Sequence, residues 1–246
     1  MALLRLPDEL LLFVTSYLVL QRDLNFFAQT NARLYNLLNT YLYRYDVGQN
    51  GSSSLLWAAK HGQEATAKKS IAEGADVHIR SQLQWTPISW AAFNGHETAV
   101  ELLLATVGID PESRTSDGKT PLSLAAWNGH DEIVKLLLTT KGINPDSPTS
   151  REETPLCLAA YRGHEDVVER LLATAGVDPS ARTLTGETPL SLAAGNGQER
   201  VVKLLLDLES IDPNVKNSRG ETPICWAAGN GHEANQGMVM DEQHYR

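Results

Sequence analysis

Residues 120–131 read TPLSLAAWNGHD, and nearly the same phrase returns at a fixed interval. TPISWAAFNGHE begins at Thr86, TPLCLAAYRGHE at Thr154, TPLSLAAGNGQE at Thr188 and TPICWAAGNGHE at Thr222, each start 34 residues from the next. A weaker copy, SSLLWAAKHGQE, begins at Ser53, 33 residues before Thr86. Self-similarity at such a period marks stacked units, none of which can bury its apolar face alone. The chain is therefore read as an all-α solenoid of helix pairs.

Each unit spells out its helix ends. Thr120 suits an N-cap and Pro121 the first helical position, where no N–H is needed. Leu122, Leu124 and the pair Ala125-Ala126 form an inner helix, the small alanines allowing neighbouring helices to approach. Gly129 suits a left-handed C-cap. His130 precedes an outer helix that starts with Asp131 and Glu132 at its positive end. Ile133, Val134, Leu136, Leu137 and Leu138 supply its apolar side. Gly142-Ile143-Asn144-Pro145 ends it.

Thr-Pro-Leu-x-x-Ala-Ala-x-x-Gly-His, followed by Val-x-x-Leu-Leu and a Gly-x-Asp-Pro-like turn, resembles the ankyrin repeat over residues 53–233, with five full units and a partial sixth. The resemblance implies antiparallel helix pairs whose connecting loops project as hairpin fingers. One departure is consistent: where the family usually has His after Thr-Pro-Leu, this chain has Ser89, Ser123, Cys157, Ser191 and Cys225. The Thr–His hydrogen bond of the family is then absent or replaced. At the far end the phrase stops after Glu233. Residues 234–246 are expected to be an irregular tail, as in a truncated product, leaving apolar surface exposed around Ile224 and Trp226.

Ahead of the stack, residues 47–52 form a polar, Gly-containing linker. Residues 1–46 read as three short helices. Pro7 suits the first position of one, with Asp8 and Glu9 at its positive end. Leu10, Leu11, Val14 and Leu18 follow at helical spacing, and further apolar residues lie off that stripe. Such a module has a marginal core and needs a partner. Leu6-Pro7-Asp8-Glu9-Leu10-Leu11, then Val14, Leu18 and Asp23-Leu24, then Asn31-Ala32-Arg33-Leu34-Tyr35 resemble an F-box. Leu34 stands where many members have Trp. The resemblance implies that Leu6, Pro7, Leu10, Leu11, Val14, Leu18 and Leu24 dock on a Skp-type adaptor of a cullin–RING ubiquitin ligase. The alternative is a helical cap that shields the first repeat.

The chain has 246 residues and a formal net charge of −9. Nucleic-acid binders need a basic footprint, which this balance opposes. Cys157 and Cys225 occupy equivalent positions two units apart, roughly 20 Å if helices stack at about 10 Å. A disulfide needs Cα atoms within about 7 Å, so both thiols should be free, as in an intracellular compartment, cytoplasmic or nuclear. Leu10–Leu20 imitates the apolar part of a signal peptide but lacks a cleavage site, and it is too short to span a membrane.

Phosphate-loop, dinucleotide and Gly-x-Ser-x-Gly motifs are missing, so no enzyme, cofactor or catalytic residue is expected. His96, His130, His164 and His232 recur once per unit, about 10 Å apart, too far to share a metal whose bonds to nitrogen are about 2.1 Å. They are read as fixing the turn between helices. The informative positions vary from unit to unit. Just before each Gly-His lie Phe93-Asn94, Trp127-Asn128 and Tyr161-Arg162, and the three rings are expected to form a ladder. Trp85, Arg114 and Arg151 lie near the fingers. Arg80, Arg114, Arg182 and Lys216 make a basic row there, partly offset by Glu153, Glu187 and Glu221. Aromatic and Arg side chains dominate interface energetics. Trp85, Phe93, Asn94, Trp127, Asn128, Tyr161, Arg162, Arg114 and Arg151 are therefore the target-binding candidates. The expected protein is a monomer until an adaptor binds, holding an unidentified target protein.

Overall fold

The computed structural model describes residues 53–245, and for 241–245 the backbone alone. Twelve helices follow one another. In chain order they are α1 (Ser53–His61), α2 (Glu64–Ala72), α3 (Pro87–Asn94), α4 (Glu97–Leu104), α5 (Pro121–Asn128), α6 (Asp131–Leu138), α7 (Pro155–Arg162), α8 (Glu165–Leu172), α9 (Pro189–Gly195), α10 (Glu199–Leu206), α11 (Pro223–Gly229) and α12 (Glu233–Tyr245). Odd-numbered helices are inner and even-numbered ones outer. Each inner helix packs on the inner helices before and after it and on its own outer partner. The F-box-like module and its adaptor-docking residues lie outside the described residues.

The helix ends form as their residues dictate. Thr86, Thr120, Thr154 and Thr188 accept a hydrogen bond from the backbone N–H three residues on, at 3.2–3.3 Å. Pro follows each of them at the first helical position. The bond missing for want of His is replaced locally. Ser123 and Ser191 Oγ donate to the carbonyls of Thr120 and Thr188 at 2.9 Å, and Ser89 Oγ lies 2.9 Å from Thr86 Oγ1. These serines are buried, so each such bond satisfies a group that would otherwise be costly to desolvate.

The core is a single column. Ala58, Ala59, Ala91, Ala92, Ala125, Ala126, Ala159, Ala160, Ala193 and Ala194 are fully buried where inner helices meet. Ile133, Val134 and Leu137 of α6, and their counterparts in the other outer helices, close the column from one side.

Register between units is set at the turn from inner to outer helix. His130 Nε2 lies 3.0 Å from the carbonyl of Phe93, and His164 Nε2 3.0 Å from that of Trp127. His96 reaches Lys60 O in the same way at 3.1 Å, and Gln198 reaches Tyr161 O at 3.4 Å. A carbonyl only accepts, so Nε2 carries the proton. The glycine of the preceding unit makes room for the ring. Gly129 has φ +75°, and a Cβ there would lie 2.5 Å from His164 Nδ1. Two constraints thus act on one residue: a left-handed backbone and a neighbour's imidazole.

The fingers are hydrogen-bonded turns. Thr115, Thr149, Thr183 and Asn217 donate backbone N–H to the carbonyl four residues on. Successive fingers are joined by Ser116 N–H to Leu83 O, Ser150 N–H to Asp117 O, Leu184 N–H to Arg151 O and Ser218 N–H to Thr185 O. No strand is formed among the described residues.

Two expectations about the far end are corrected. Residues 234–245 are helical, continuing α12, rather than irregular. Val239 is fully buried on the core and Met238 packs against it, because they fall where Leu171 and Arg170 sit in α8. Ile224 and Trp226 are half-buried rather than bare. The signal was weak because Asn235 occupies a core position held by valine in α8 and α10. Its Nδ2 donates to Ala194 O at 3.0 Å.

Gly129→Ala should cost about 2 kcal/mol, from the left-handed backbone and the clash with His164. Gly142→Ala, at φ +93° but with open space around it, should cost clearly less. Urea denaturation of the two variants checks the difference. Burial holds the His164 imidazole below the usual histidine range, so the folded state favours its neutral form. Its contribution is complete above the unfolded value near 6.5 and is lost as pH falls through the lower folded value. The urea midpoint of the wild type should drop between about pH 7 and 5.5. His164→Gln, which copies Gln198, should flatten that drop.

Candidate binding face

The finger stems fold over the C-terminal halves of the inner helices and make one continuous face. Trp85, on the first finger, packs on Trp90 and Phe93 of α3, with ring centroids 4.4 and 5.1 Å apart. Lys60 Nζ of α1 lies 4.5 Å over the Trp90 ring. Two units on, Trp127 of α5 and Tyr161 of α7 stack at 5.5 Å with their planes 12° apart. Lys119 Nζ, from the second finger, lies 5.3 Å from the centre of the Trp127 ring, and the Arg162 guanidinium lies 4.7 Å from it. Rings stacked this way gain electrostatic attraction to cations in addition to burial.

The expected ladder of three rings is therefore two groups. Among the described ring contacts none joins Phe93 to Trp127: Phe93 is taken up by Trp85 and Trp90. Trp90 stands where the following units have Leu124, Leu158 and Leu192, and it draws Phe93 towards the first finger. Trp90 was not among the residues expected here, although its spacing of three from Phe93 on one helix was available. Beyond Tyr161 the ring positions become Gly195 and Gly229. Trp226 lies against Gly195, where a Cβ would come within 2.5 Å of its Cε3. Its Nε1–H donates to Glu221 Oε2 at 3.1 Å.

Several candidates turn out to serve the fold. Asn94 and Asn128 Nδ2 donate to the carbonyls of Trp90 and Leu124 at 3.0 Å, closing the ends of their own helices. Arg114 is a staple: its Nη1 donates to Gly118 O at 2.9 Å and to Pro148 O, 34 residues on, at 2.5 Å. Arg80 does the same for the first finger, to Gln84 O at 3.1 Å and Arg114 O at 2.8 Å. Arg182 donates to Lys216 O. The basic row is thus largely spent on joining fingers.

The opposing carboxylates are spent as well. Glu153 accepts from Thr149 Oγ1 at 3.0 Å, and Glu187 from the hydroxyls of Thr183 and Thr185. Burial works against the Glu187 carboxylate, but the two hydroxyl donors outweigh it and hold its pKa below the usual range. At Glu221 the Asn217 amide and then the Trp226 indole do the same.

Arg151 and Arg162 behave differently. Both are exposed, and among the described contacts neither side chain has a carboxylate partner. Tyr161, between them in sequence, is 38% exposed although its ring is stacked. Of the residues expected to bind a target, the structure leaves Arg151, Tyr161 and Arg162 available, supported by Trp127.

The thiols are both free. Burial pushes Cys157 up to about 11. Cys225 is exposed, and the Thr222 hydroxyl donating to its sulfur lowers it.

The staple and the free guanidiniums should separate in stability. Arg114→Ala should lower unfolding free energy by about 1 kcal/mol by leaving finger carbonyls unpaired. Arg162→Ala should change it by no more than about 0.5 kcal/mol. Urea titrations followed by circular dichroism check both.

Comparison with known proteins agrees with this geometry. A family model described as ankyrin repeats in three copies matches residues 55–149 and again 156–239. Among curated proteins, the human protein named Ankyrin repeat domain-containing protein SOWAHB is 34% identical over 76 residues, covering 28% of this chain and 10% of that protein. The chain therefore spans about a tenth of the length of that relative. Among the described residues no helix is long and apolar enough to cross a membrane. With both family matches falling on the helix-pair units that build the column, the chain belongs to the ankyrin-repeat family, whose repeats serve protein–protein interaction.

Proposed function

We propose that this protein is a non-enzymatic receptor that holds a target protein against its inner face. The observation that carries the reading is the Trp127–Tyr161 stack crossed by Arg162, in a face whose other polar groups are mostly engaged internally. A large, rigid aromatic surface beside a mobile charge is the composition of an interface hot spot. The four-unit core beneath it holds these groups without strain from unpaired finger carbonyls, so little ordering is needed when a target binds.

The F-box resemblance of residues 1–46 extends the proposal. Leu6, Pro7, Leu10, Leu11, Val14, Leu18 and Leu24 would dock on a Skp-type adaptor, and the repeats would hold the target near a ubiquitin-loading machine. Rate would then come from effective concentration rather than from chemistry on this chain.

Purified full-length chain is expected to form a 1:1 complex with a Skp-type adaptor in size-exclusion chromatography with light scattering. Leu10→Asp combined with Leu11→Asp should abolish that complex and leave the helical circular dichroism of the repeats unchanged. Failure of the wild-type chain to bind would reduce the protein to an ankyrin scaffold whose first helices cap the stack.

A further inference from the structure

The charges of this chain are sorted by face. Between residues 53 and 240, the outer helices and the loops that follow them carry seven basic and nineteen acidic side chains. The inner helices and fingers carry nine basic and five acidic ones. An acidic protein thus presents a basic inner face.

Internal bonding sharpens this imbalance. Of the five acidic side chains on the inner face, four are engaged within the protein. Asp117 pairs with Lys119 at 3.0 Å and accepts from Thr115, Glu153 accepts from Thr149, Glu187 from Thr183 and Thr185, and Glu221 from Asn217 and Trp226. Glu152, at a fingertip with φ +61°, is the exception. Of the nine basic ones, Arg80, Arg114 and Arg182 are stapled to carbonyls and Lys119 is paired. Lys60, Arg151, Arg162, Lys216 and Arg219 are exposed, and among the described contacts none lies in an ion pair. Arg219 is near enough to Glu187 and Glu221 to lower both carboxyls, so it is the least available of the five.

Resting on the reading of the inner face as the binding face, we propose that its occupant is an acidic, extended protein segment. Carboxylates of that segment meet Arg151 and Arg162, and an apolar or aromatic side chain lies on the exposed edge of Tyr161. Arg162 is already flat on Trp127, so its planar set of donors is held ready for a bidentate carboxylate. The acidic outer surface repels the same segment, which steers it to the inner face and discriminates against misplacement. A long nucleic acid carries similar charge, but it would also be repelled by the acidic surface over most of its approach.

A random sixteen-residue peptide library displayed on phage, selected against the full-length chain, tests this. The expected result is enrichment of net-acidic peptides containing an aromatic or large apolar residue. Synthetic versions should lose about tenfold in affinity with Arg151→Ala plus Arg162→Ala, and should weaken as salt is raised. Both variants are of exposed side chains, and unchanged urea midpoints confirm that the fold is kept. Enriched peptides that are neutral or basic but lose binding with Tyr161→Ala would overturn the acidic occupant while leaving the inner face as a binding site. Absence of enrichment, or binding indifferent to all three substitutions, would overturn both. Displacement of the acidic peptides by oligothymidine at lower concentration than by free peptide would overturn the choice of protein as occupant.

Discussion

The register bond between successive units is the constraint on which the rest depends. An imidazole N–H from one repeat reaches the carbonyl that ends the inner helix of the repeat before, and its ring takes the space a Cβ would fill at the glycine. This single contact fixes three things together. It satisfies a helix-end carbonyl, it holds the following glycine in the left-handed conformation, and it sets the distance at which the next alanine pair meets the last. Gln198 shows what the site requires: a donor at the right reach and a flat group, with the imidazole itself replaceable.

Once register is set, the fingers have to follow it, and their polar groups are absorbed in doing so. Arg80, Arg114 and Arg182 each reach a carbonyl 34 residues on, and the row stops where Pro148 and Lys216 stand. Glu153, Glu187 and Glu221 bind hydroxyls and amides of their own fingers. A row of charges that looks like a recognition surface in the chain is therefore mostly a lattice joining one finger to the next. What remains for a partner is what the lattice does not consume. That is the stack of Trp127 and Tyr161, with Arg162 laid across it and Arg151 at the neighbouring tip.

The terminal unit shows how far periodicity can be followed. Met238 and Val239 fill outer-helix positions that α8 gives to Arg170 and Leu171, and Asn235 stands in for a valine. The chain still forms a helix there, because the end of the column is apolar and burying Val239 against it is favourable. Asn235 keeps one amide bond to the inner helix of the unit before. An apolar surface in waiting thus organises a segment whose own sequence names no helix.

Sequence alone determined the unit, its period and both ends of its helices, because Thr-Pro, Ala-Ala and Gly-His act through local backbone physics within a few residues. It also placed Trp127, Tyr161 and Arg162 on one face, since helical phase is a local property. Tertiary structure alone decided which of the nine candidate residues are free. Arg114 and Arg162 are indistinguishable as letters, yet one faces the carbonyl of Pro148 and the other the open face of Trp127. Phe93 leaves the expected ladder because Trp90 and Trp85 reach it first. Such outcomes depend on contacts between units 34 residues apart, where distance and the competition for each donor are set by packing.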